Sequence, residues 1–320
     1  MRVLFCGSGE FAVPSLRAVT AGRHQIVKVL TQPARPAGRG GKLRPTPVAE
    51  AARSLVLDVW ECRDINADDA VAAIHSAAPD VICVADFGQF IREPARRCVR
   101  IDAINLHASL LPELRGAAPV NWAVLRGCRR TGVTTFSLVD KMDAGPVYLQ
   151  VETDIRPDET ALELRARLAE FGAGVVCRTL DLLESGQAQG VPQDESRMTL
   201  APKLRKSDGR IDWTKDAQAV CNVIHGTWPW PGGHAILRRK DGREFEVVIA
   251  RACTQGAAAE QGSSTGEPGR VDGELCVATG NGRLRVVEIQ PAGKRVMTWR
   301  DFVNGYRLTE GDLFVVKPEE

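Results

Sequence analysis

Arg2-Val3-Leu4-Phe5-Cys6 runs directly into Gly7-Ser8-Gly9-Glu10-Phe11-Ala12, and this stretch decides the fold. Val3–Cys6 is apolar without alternation, so both faces of the strand it forms must be covered. Two glycines then turn the chain into a helix expected over Phe11–Ala21. The same unit recurs downstream. Gln25–Leu30, Leu57–Glu61, Val81–Ala85 and Ala103–Leu106 read as strands. Helices are expected at Val48–Ser54 and Ala67–Ala77, with a short turn near Glu93–Cys98. Near-continuous apolar strands alternating with helices make an α/β domain with a parallel sheet covered on both faces.

Beyond this repeat the pattern changes. Thr134–Val139 and Val147–Val151 read as a hairpin turned through Asp143-Ala144-Gly145-Pro146. Leu162, Leu164, Leu168, Phe171, Val175 and Leu180 recur at helical spacing, giving a long helix over about Glu159–Glu184. Ser185–Pro202 is polar and carries Gly186, Gly190 and Pro192, the composition of a connection. Gly233–Arg239, Glu244–Cys253, Glu274–Thr279 and Arg283–Gln290 then read as short strands, with a small helix near Thr298–Asn304. Strands so closely spaced indicate a small barrel or sandwich. Thr254–Pro268 has no large apolar side chain and is expected to be a mobile loop. The expected organisation is a first domain over 1–185, a linker over 186–208 and a second domain over 209–320.

A chain of 320 residues exceeds one ordinary core, which supports two domains. Hydrophobic residues at 44% and charged residues at 26% exclude general disorder. No run of about 18 apolar residues occurs, so no helical membrane span is expected. The opening residues lack the charged leader and cleavage site of a targeting peptide, which favours a bacterial cytoplasm. The net charge of +2 rules out a uniformly basic surface, so any nucleic-acid contact must be local. The nine cysteines include no CxxC pair, which leaves reduced thiols in core positions rather than a redox or metal motif.

Three motifs bear on chemistry. Gly7-Ser8-Gly9-Glu10-Phe11-Ala12 fits the dinucleotide fingerprint, but the tip of the second strand reads Thr31-Gln32-Pro33, with no carboxylate for a ribose hydroxyl. A nicotinamide oxidoreductase is therefore disfavoured. Pro33–Pro47 holds Arg35, Arg39, Lys42 and Arg44 and no acidic residue, while its prolines and glycines argue against any regular element. It is either a solvated turn or an arm that grips phosphates. The strongest signal is Ile104-Asn105-Leu106-His107-Ala108-Ser109-Leu110-Leu111-Pro112, followed by Arg115-Gly116-Ala117-Ala118-Pro119. Asn105 and His107 leave a parallel strand two residues apart, hence on one face, at the end where such sheets bind ligands. Asp143 is a candidate carboxylate. Amide, imidazole and carboxylate suit acyl transfer to an amine: one stabilises an oxyanion, one moves protons, one orients and charges the imidazole. His24, His75, His225 and His234 have no metal-ligand spacing, and no G-x-S-x-G elbow occurs, so neither metal nor covalent catalysis is expected.

The motif around Asn105, His107 and Ser109-Leu110-Leu111-Pro112, with the later Asp143, resembles the 10-formyltetrahydrofolate-dependent formyltransferases. Further segments resemble the branch acting on methionyl-tRNA: Arg35–Gly40, Arg115–Pro119, Met142–Gly145, Lys203–Lys206, Gly209–Trp213, Pro229–Gly232 and Gln290–Lys294. Together they extend over nearly the whole chain. The resemblance implies a Rossmann-like, mostly parallel catalytic domain and a C-terminal OB-like barrel. It implies formyl transfer from 10-formyltetrahydrofolate to the α-amine of initiator methionyl-tRNA. Asn105, His107 and Asp143 would be catalytic; Ser109, Leu110, Leu111, Pro112, Phe87 and Gly88 would line the folate site. Arg35, Arg39, Lys42, Lys203, Arg205 and Lys206 would meet tRNA. Phe87 stands where the family often has tyrosine, keeping the ring without the hydroxyl. A monomer is expected. The alternatives are a formyltransferase for a small amine, such as a sugar nucleotide or glycinamide ribonucleotide, and a non-catalytic RNA-binding barrel protein.

Overall fold

The computed structural model describes residues 1–37, 41–255 and 266–318. The chain divides into two compact units: Met1–Pro119 with Thr131–Thr153 and Arg165–Pro202, and Val120–Arg130 with Asp154–Leu164 and the chain from Lys203 onward.

The first unit is built on a seven-stranded sheet. Its strands are β1 (Arg2–Gly7), β2 (Gln25–Thr31), β5 (Val59–Glu61), β6 (Val81–Ala85), β7 (Asp102–His107), β8 (Arg130–Ser137) and β9 (Val147–Asp154). Their spatial order is β5-β2-β1-β6-β7-β8-β9. The first five are mutually parallel, and β8 runs antiparallel to β7. Bonds from Ser137 N to the Pro146 carbonyl and from Ile155 N to the Arg129 carbonyl close the expected hairpin at its two ends. All five residues of β6 are buried, as are Val3–Gly7 of β1. Order reverses between β1 and β6, so the connections leaving their carboxyl ends diverge and leave a crevice outside the strand ends.

Helices α1 (Val13–Ala21), α2 (Pro47–Ser54), α3 (Asp68–Ala77), α4 (Glu93–Arg96) and most of α6 (Ala161–Glu184) accompany these strands, whereas α5 (Pro119–Leu125) falls almost wholly in the second unit. Local chemistry sets several boundaries. Thr46 caps α2 by accepting from Ala49 N at 3.1 Å, with Pro47 in the first turn. α6 begins two residues later than its apolar spacing suggests because Thr160 and Glu163 form a reciprocal capping box. The expectation that Pro33–Pro47 holds no regular element is corrected: β3 (Arg35–Ala37) and β4 (Lys42–Arg44) pair as a small antiparallel ladder. Pro36 escapes the usual penalty because a two-stranded ribbon leaves one edge of each strand free of ladder bonds.

The second unit contains α7 (Ala217–Thr227), β10 (Gly233–Arg238), β11 (Glu244–Gln255), β12 (Val277–Ala278), β13 (Arg283–Pro291), β14 (Met297–Thr298), α8 (Trp299–Tyr306) and β15 (Leu313–Val316). The antiparallel order is β12-β13-β11-β10-β15, with β14 beside β13. Gly269 N donates to the Ala278 carbonyl at 2.8 Å, and the Gly269 carbonyl accepts from Phe314 N at 2.8 Å. This segment joins the two outer strands into a nearly closed barrel. A Cβ at Gly269 would lie 2.0 Å from the Phe314 carbonyl oxygen, and φ there is +87°, so only glycine fits the seam. Ile211, Trp213, Ile224, Leu237, Ile249 and Phe302 lie in the barrel core. The strand read from Glu274 shortens to Val277–Ala278, because the Asp272 carboxylate accepts from Glu274 N and Cys276 N and turns the chain there. The interior of Thr254–Pro268, at 256–265, lies outside the described residues.

Candidate active site

A cavity of about 410 Å³ opens at the carboxyl ends of β6 and β7, with Phe11 from the turn after β1 in its wall. Asn105, His107, Phe87, Gly88 and Asp143 all line it. Asn105 and His107 share one face of β7, as their two-residue spacing requires. The Asn105 side-chain amide has no hydrogen-bond partner among the described residues, so its donors remain available to a ligand.

His107 is buried. Its Nε2 lies 2.9 Å from the Leu114 carbonyl oxygen. A carbonyl only accepts, so Nε2 carries the proton and Nδ1 is the atom free to exchange one. Nδ1 lies 3.8 Å from Asp143 Oδ2, beyond hydrogen-bond reach and close enough for charge to act. Sequence reasoning expected Asp143 both to orient and to charge the ring; in the structure the ring's hydrogen bond goes to the Leu114 carbonyl, and Asp143 stands at 3.8 Å without one. Asp143 Oδ2 is fixed by Gly116 N at 2.8 Å.

The turn after β7 is held from below. Thr134 Oγ1 donates to the Ser109 carbonyl at 2.6 Å, and Leu111 N donates to Thr134 Oγ1 at 3.2 Å. Gln150 Nε2 donates to the Leu111 carbonyl at 2.7 Å, and Ser109 Oγ to the Glu113 carbonyl at 2.7 Å. Ser109, Leu110, Leu111 and Pro112 are not among the residues lining the cavity; they shape the loop that presents Leu114 and Gly116. Phe87 and Gly88 are held by their neighbours too: Gln32 Nε2 and Ser8 Oγ donate to the Phe87 carbonyl at 2.8 and 3.0 Å. The Gly7-Ser8-Gly9 turn thus serves packing. Ser8 N and Gly9 N donate to the Asp86 carbonyl, and a Cβ on Gly7 would meet Ala12 and Ala85 at 2.9 and 3.0 Å.

Several residues of the site carried no assignment from sequence. Arg165 lines the cavity, donates to Asp86 Oδ2 at 2.6 Å and sits over the Phe11 ring at 5.4 Å. Arg115 is 2% exposed, and Gln193 joins it to the Asp143 turn. The Arg115 and Lys141 side chains both donate to Glu195 and hold its carboxyl down at about 2. Only Arg115 was visible beforehand, inside Arg-Gly-Ala-Ala-Pro, and no pattern marked it as buried. No cysteine lines the cavity. Burial pushes the Cys6 thiol up and Cys83 to about 12, so neither is an activated nucleophile.

Of the residues expected to meet tRNA, Arg35 and Lys42 are exposed on β3 and β4, and Arg35 Nη2 donates to Gln32. Arg39 lies outside the described residues. Lys203, Arg205 and Lys206 are exposed at the start of the long segment of the second unit, where buried Leu204 anchors the chain.

Comparison with known proteins agrees with this geometry. Residues 1–180 match the model of the formyl transferase family, and residues 203–307 match that of the formyl transferase C-terminal domain. Methionyl-tRNA formyltransferase of Solibacter usitatus is 39% identical over 312 residues, covering 98% of each chain. That of Koribacter versatilis is 42% identical over 317 residues, again covering 98% of each. Among solved structures, HypX from Aquifex aeolicus in complex with tetrahydrofolic acid superposes with a TM-score of 0.62 at 19% identity; it covers 100% of this chain, which spans 52% of that one. An N-formyltransferase from Helicobacter canadensis, in complex with folinic acid and dTDP-3-aminofucose, gives 0.65 at 12% identity, covering 90% and 98%. These structural likenesses concern the fold.

Proposed function

The chain belongs to the formyl transferases and, within them, to the methionyl-tRNA formyltransferases, and from that premise we propose that it formylates the α-amine of methionine carried by initiator tRNA, using 10-formyltetrahydrofolate, with Asn105, His107 and Asp143 as catalytic residues. The observation that carries this reading is the convergence on one cavity of an amide with no partner among the described residues, an imidazole with one committed nitrogen and a fixed carboxylate.

The cavity suits the co-substrate's ring end: Phe87, Ile91, Leu138 and Val139 supply apolar walls, and the site has the size of a small-molecule pocket. When bound, 10-formyltetrahydrofolate supplies an activated one-carbon group. The chain's own residues do the rest. The Asn105 amide donates to the oxygen that gains charge as the amine attacks, a contribution typically worth about 3–4 kcal/mol. His107 Nδ1 takes the proton lost by the amine and returns it to the departing nitrogen. Asp143, 3.8 Å away, offsets the positive ring during that interval. The Leu114 carbonyl keeps Nε2 from exchanging with it.

The tRNA would be held by phosphate contacts from Arg35, Arg39, Lys42, Lys203, Arg205 and Lys206, which steer and position without reading bases. We assign the catalytic domain to 1–185, the linker to 186–208 and the tRNA-holding barrel domain to 209–320, in a monomer of the bacterial cytoplasm. The test mixes purified protein, 10-formyltetrahydrofolate and methionyl-tRNA and reads formylmethionine, with an amino sugar nucleotide and glycinamide ribonucleotide as competing acceptors. Near-parental rates in folded Asn105→Ala and Asp143→Ala proteins would remove the catalytic assignment. Preference for a small amine would remove the tRNA assignment and leave the chemistry.

A further inference from the structure

Asp143 is a non-glycine residue at φ +51°, in the left-handed region that side chains disfavour. Something must hold it there, and the polar partners of its turn come from far along the chain. Gln193 Nε2 donates to the Asp143 carbonyl at 2.8 Å and to the Gly145 carbonyl at 2.7 Å. Both donors of the amide are thereby used. Gln193 Oε1 accepts from Arg115 Nε at 3.1 Å and Nη2 at 2.7 Å. The amide has one workable orientation, because two carbonyls need donors and a guanidinium needs an acceptor.

Arg115 is itself held on several sides. Its side chain is 2% exposed and also reaches Glu195 at 2.7 Å. Its N donates to the Thr199 carbonyl at 2.9 Å, and its carbonyl accepts from Ala201 N at 2.7 Å. Leu114 N donates to Thr199 Oγ1 at 2.8 Å. One strand of chain, from Gln193 to Ala201, therefore clamps two loops. One carries the Leu114 carbonyl that fixes His107 and the Gly116 N–H that fixes Asp143; the other carries Asp143.

We propose that Gln193 is a positioning residue for the reaction: through its amide it keeps the Asp143 turn in the left-handed conformation that holds the carboxylate against His107. The inference rests on Asp143 being catalytic, as proposed above. It assigns Gln193 no contact with either substrate, so its loss should act on turnover and spare binding.

The experiment measures kcat and both KM values for Gln193→Ala, Gln193→Glu, Asp143→Ala and the double variant Gln193→Ala/Asp143→Ala of the full chain. Gln193→Glu keeps the length and the partner for Arg115 but turns two donors into acceptors facing two carbonyls, so it separates anchoring from donation if Gln193→Ala fails to fold. We expect kcat to fall ~10- to 100-fold in each single Gln193 variant, the loss typical of a group displaced by about 1 Å, with both KM values unchanged. On the Asp143→Ala background the Gln193 substitution should cost nothing more, since the residue it positions is gone. Parental kcat in the folded Gln193 variants, with Asp143→Ala impaired, overturns the positioning role and leaves Asp143 in place. Full additivity in the double variant overturns it too, because Gln193 would then act elsewhere. Parental kcat in Asp143→Ala removes the catalytic reading on which the inference depends.

Discussion

The Nε2 atom of His107 lies 2.9 Å from the carbonyl oxygen of Leu114, seven residues further along the chain. The loop that follows β7 thus bends back to hold the ring that β7 presents. On the proposed mechanism the contact leaves Nδ1 as the working nitrogen, because the one bonded to a carbonyl cannot give up its proton without losing its partner.

His107→Gln tests that division. Glutamine can keep a donor toward the Leu114 carbonyl but has no titrating nitrogen. We expect a folded protein, checked by thermal melting, whose kcat falls about 100- to 10,000-fold. A variant that retains parental turnover would show that Nδ1 moves no proton.

Glu195→Gln tests the ion cluster beneath the site. Arg115, first, and Lys141 hold the folded-state value at about 2 against an ordinary 4.5. A depressed carboxylate contributes stability above its unfolded value and loses it as pH falls through the folded one. The melting-temperature gap between parent and Glu195→Gln should be constant above pH 4.5 and close progressively toward pH 2. Its size should be small, since Glu195 is half exposed and solvent screens the pair. A gap that widens on acidification would contradict the assignment.

Gly116→Ala tests the clamp. A Cβ there would lie 2.6 Å from the Ala201 carbonyl oxygen, at φ +125°. The contact is with backbone and cannot yield cheaply. We expect a lowered melting temperature, by an amount equivalent to about 1–3 kcal/mol for strained backbone. We also expect slower turnover, because Gly116 N holds the Asp143 carboxylate. Unchanged stability and rate together would mean that this crossing of chains is looser than drawn.

Arg39→Ala and Lys42→Ala test the phosphate grip. Each should lower kcat/KM for methionyl-tRNA without altering the KM for 10-formyltetrahydrofolate, and should flatten the fall of kcat/KM with salt by about one phosphate contact. Equal effects on both substrates would place these cations elsewhere in the reaction.

Much of this molecule was legible in the linear chain. β1 and β6 announce themselves because a strand covered on both faces has no polar alternation, and Asn105 and His107 because period-two geometry aims both at the crevice. The imidazole–carboxylate approach was legible only as a possibility, since nothing local fixes the distance between β7 and the turn at Asp143. The clamp was illegible. Buried Arg115 and half-buried Gln193 are separated by 78 positions, and their meeting is set by how a polar segment folds back. In sequence that segment reads as a simple connection, because its composition reports solvent contact and is silent about backbone pairing. The β3–β4 ladder was missed for the opposite reason: proline and glycine are read as breakers, yet a ribbon of three residues a side tolerates them. β15 is too short, at four residues, to carry a period of its own, whereas Val220, Cys221, Ile224 and Thr227 do recur at helical spacing in α7, a signal the sequence reading passes over.

The Gly269 seam bears on how the protein behaves in a crowded solution. An open ladder presents a row of unsatisfied amides that a neighbouring copy can extend. The segment Gly269–Val271 closes that invitation, bonding to Ala278 on one side and to Asp312 and Phe314 on the other. A bulkier replacement at Gly269 would meet the Phe314 carbonyl oxygen at 2.0 Å and loosen that seam, turning a closed barrel into one with two open edges.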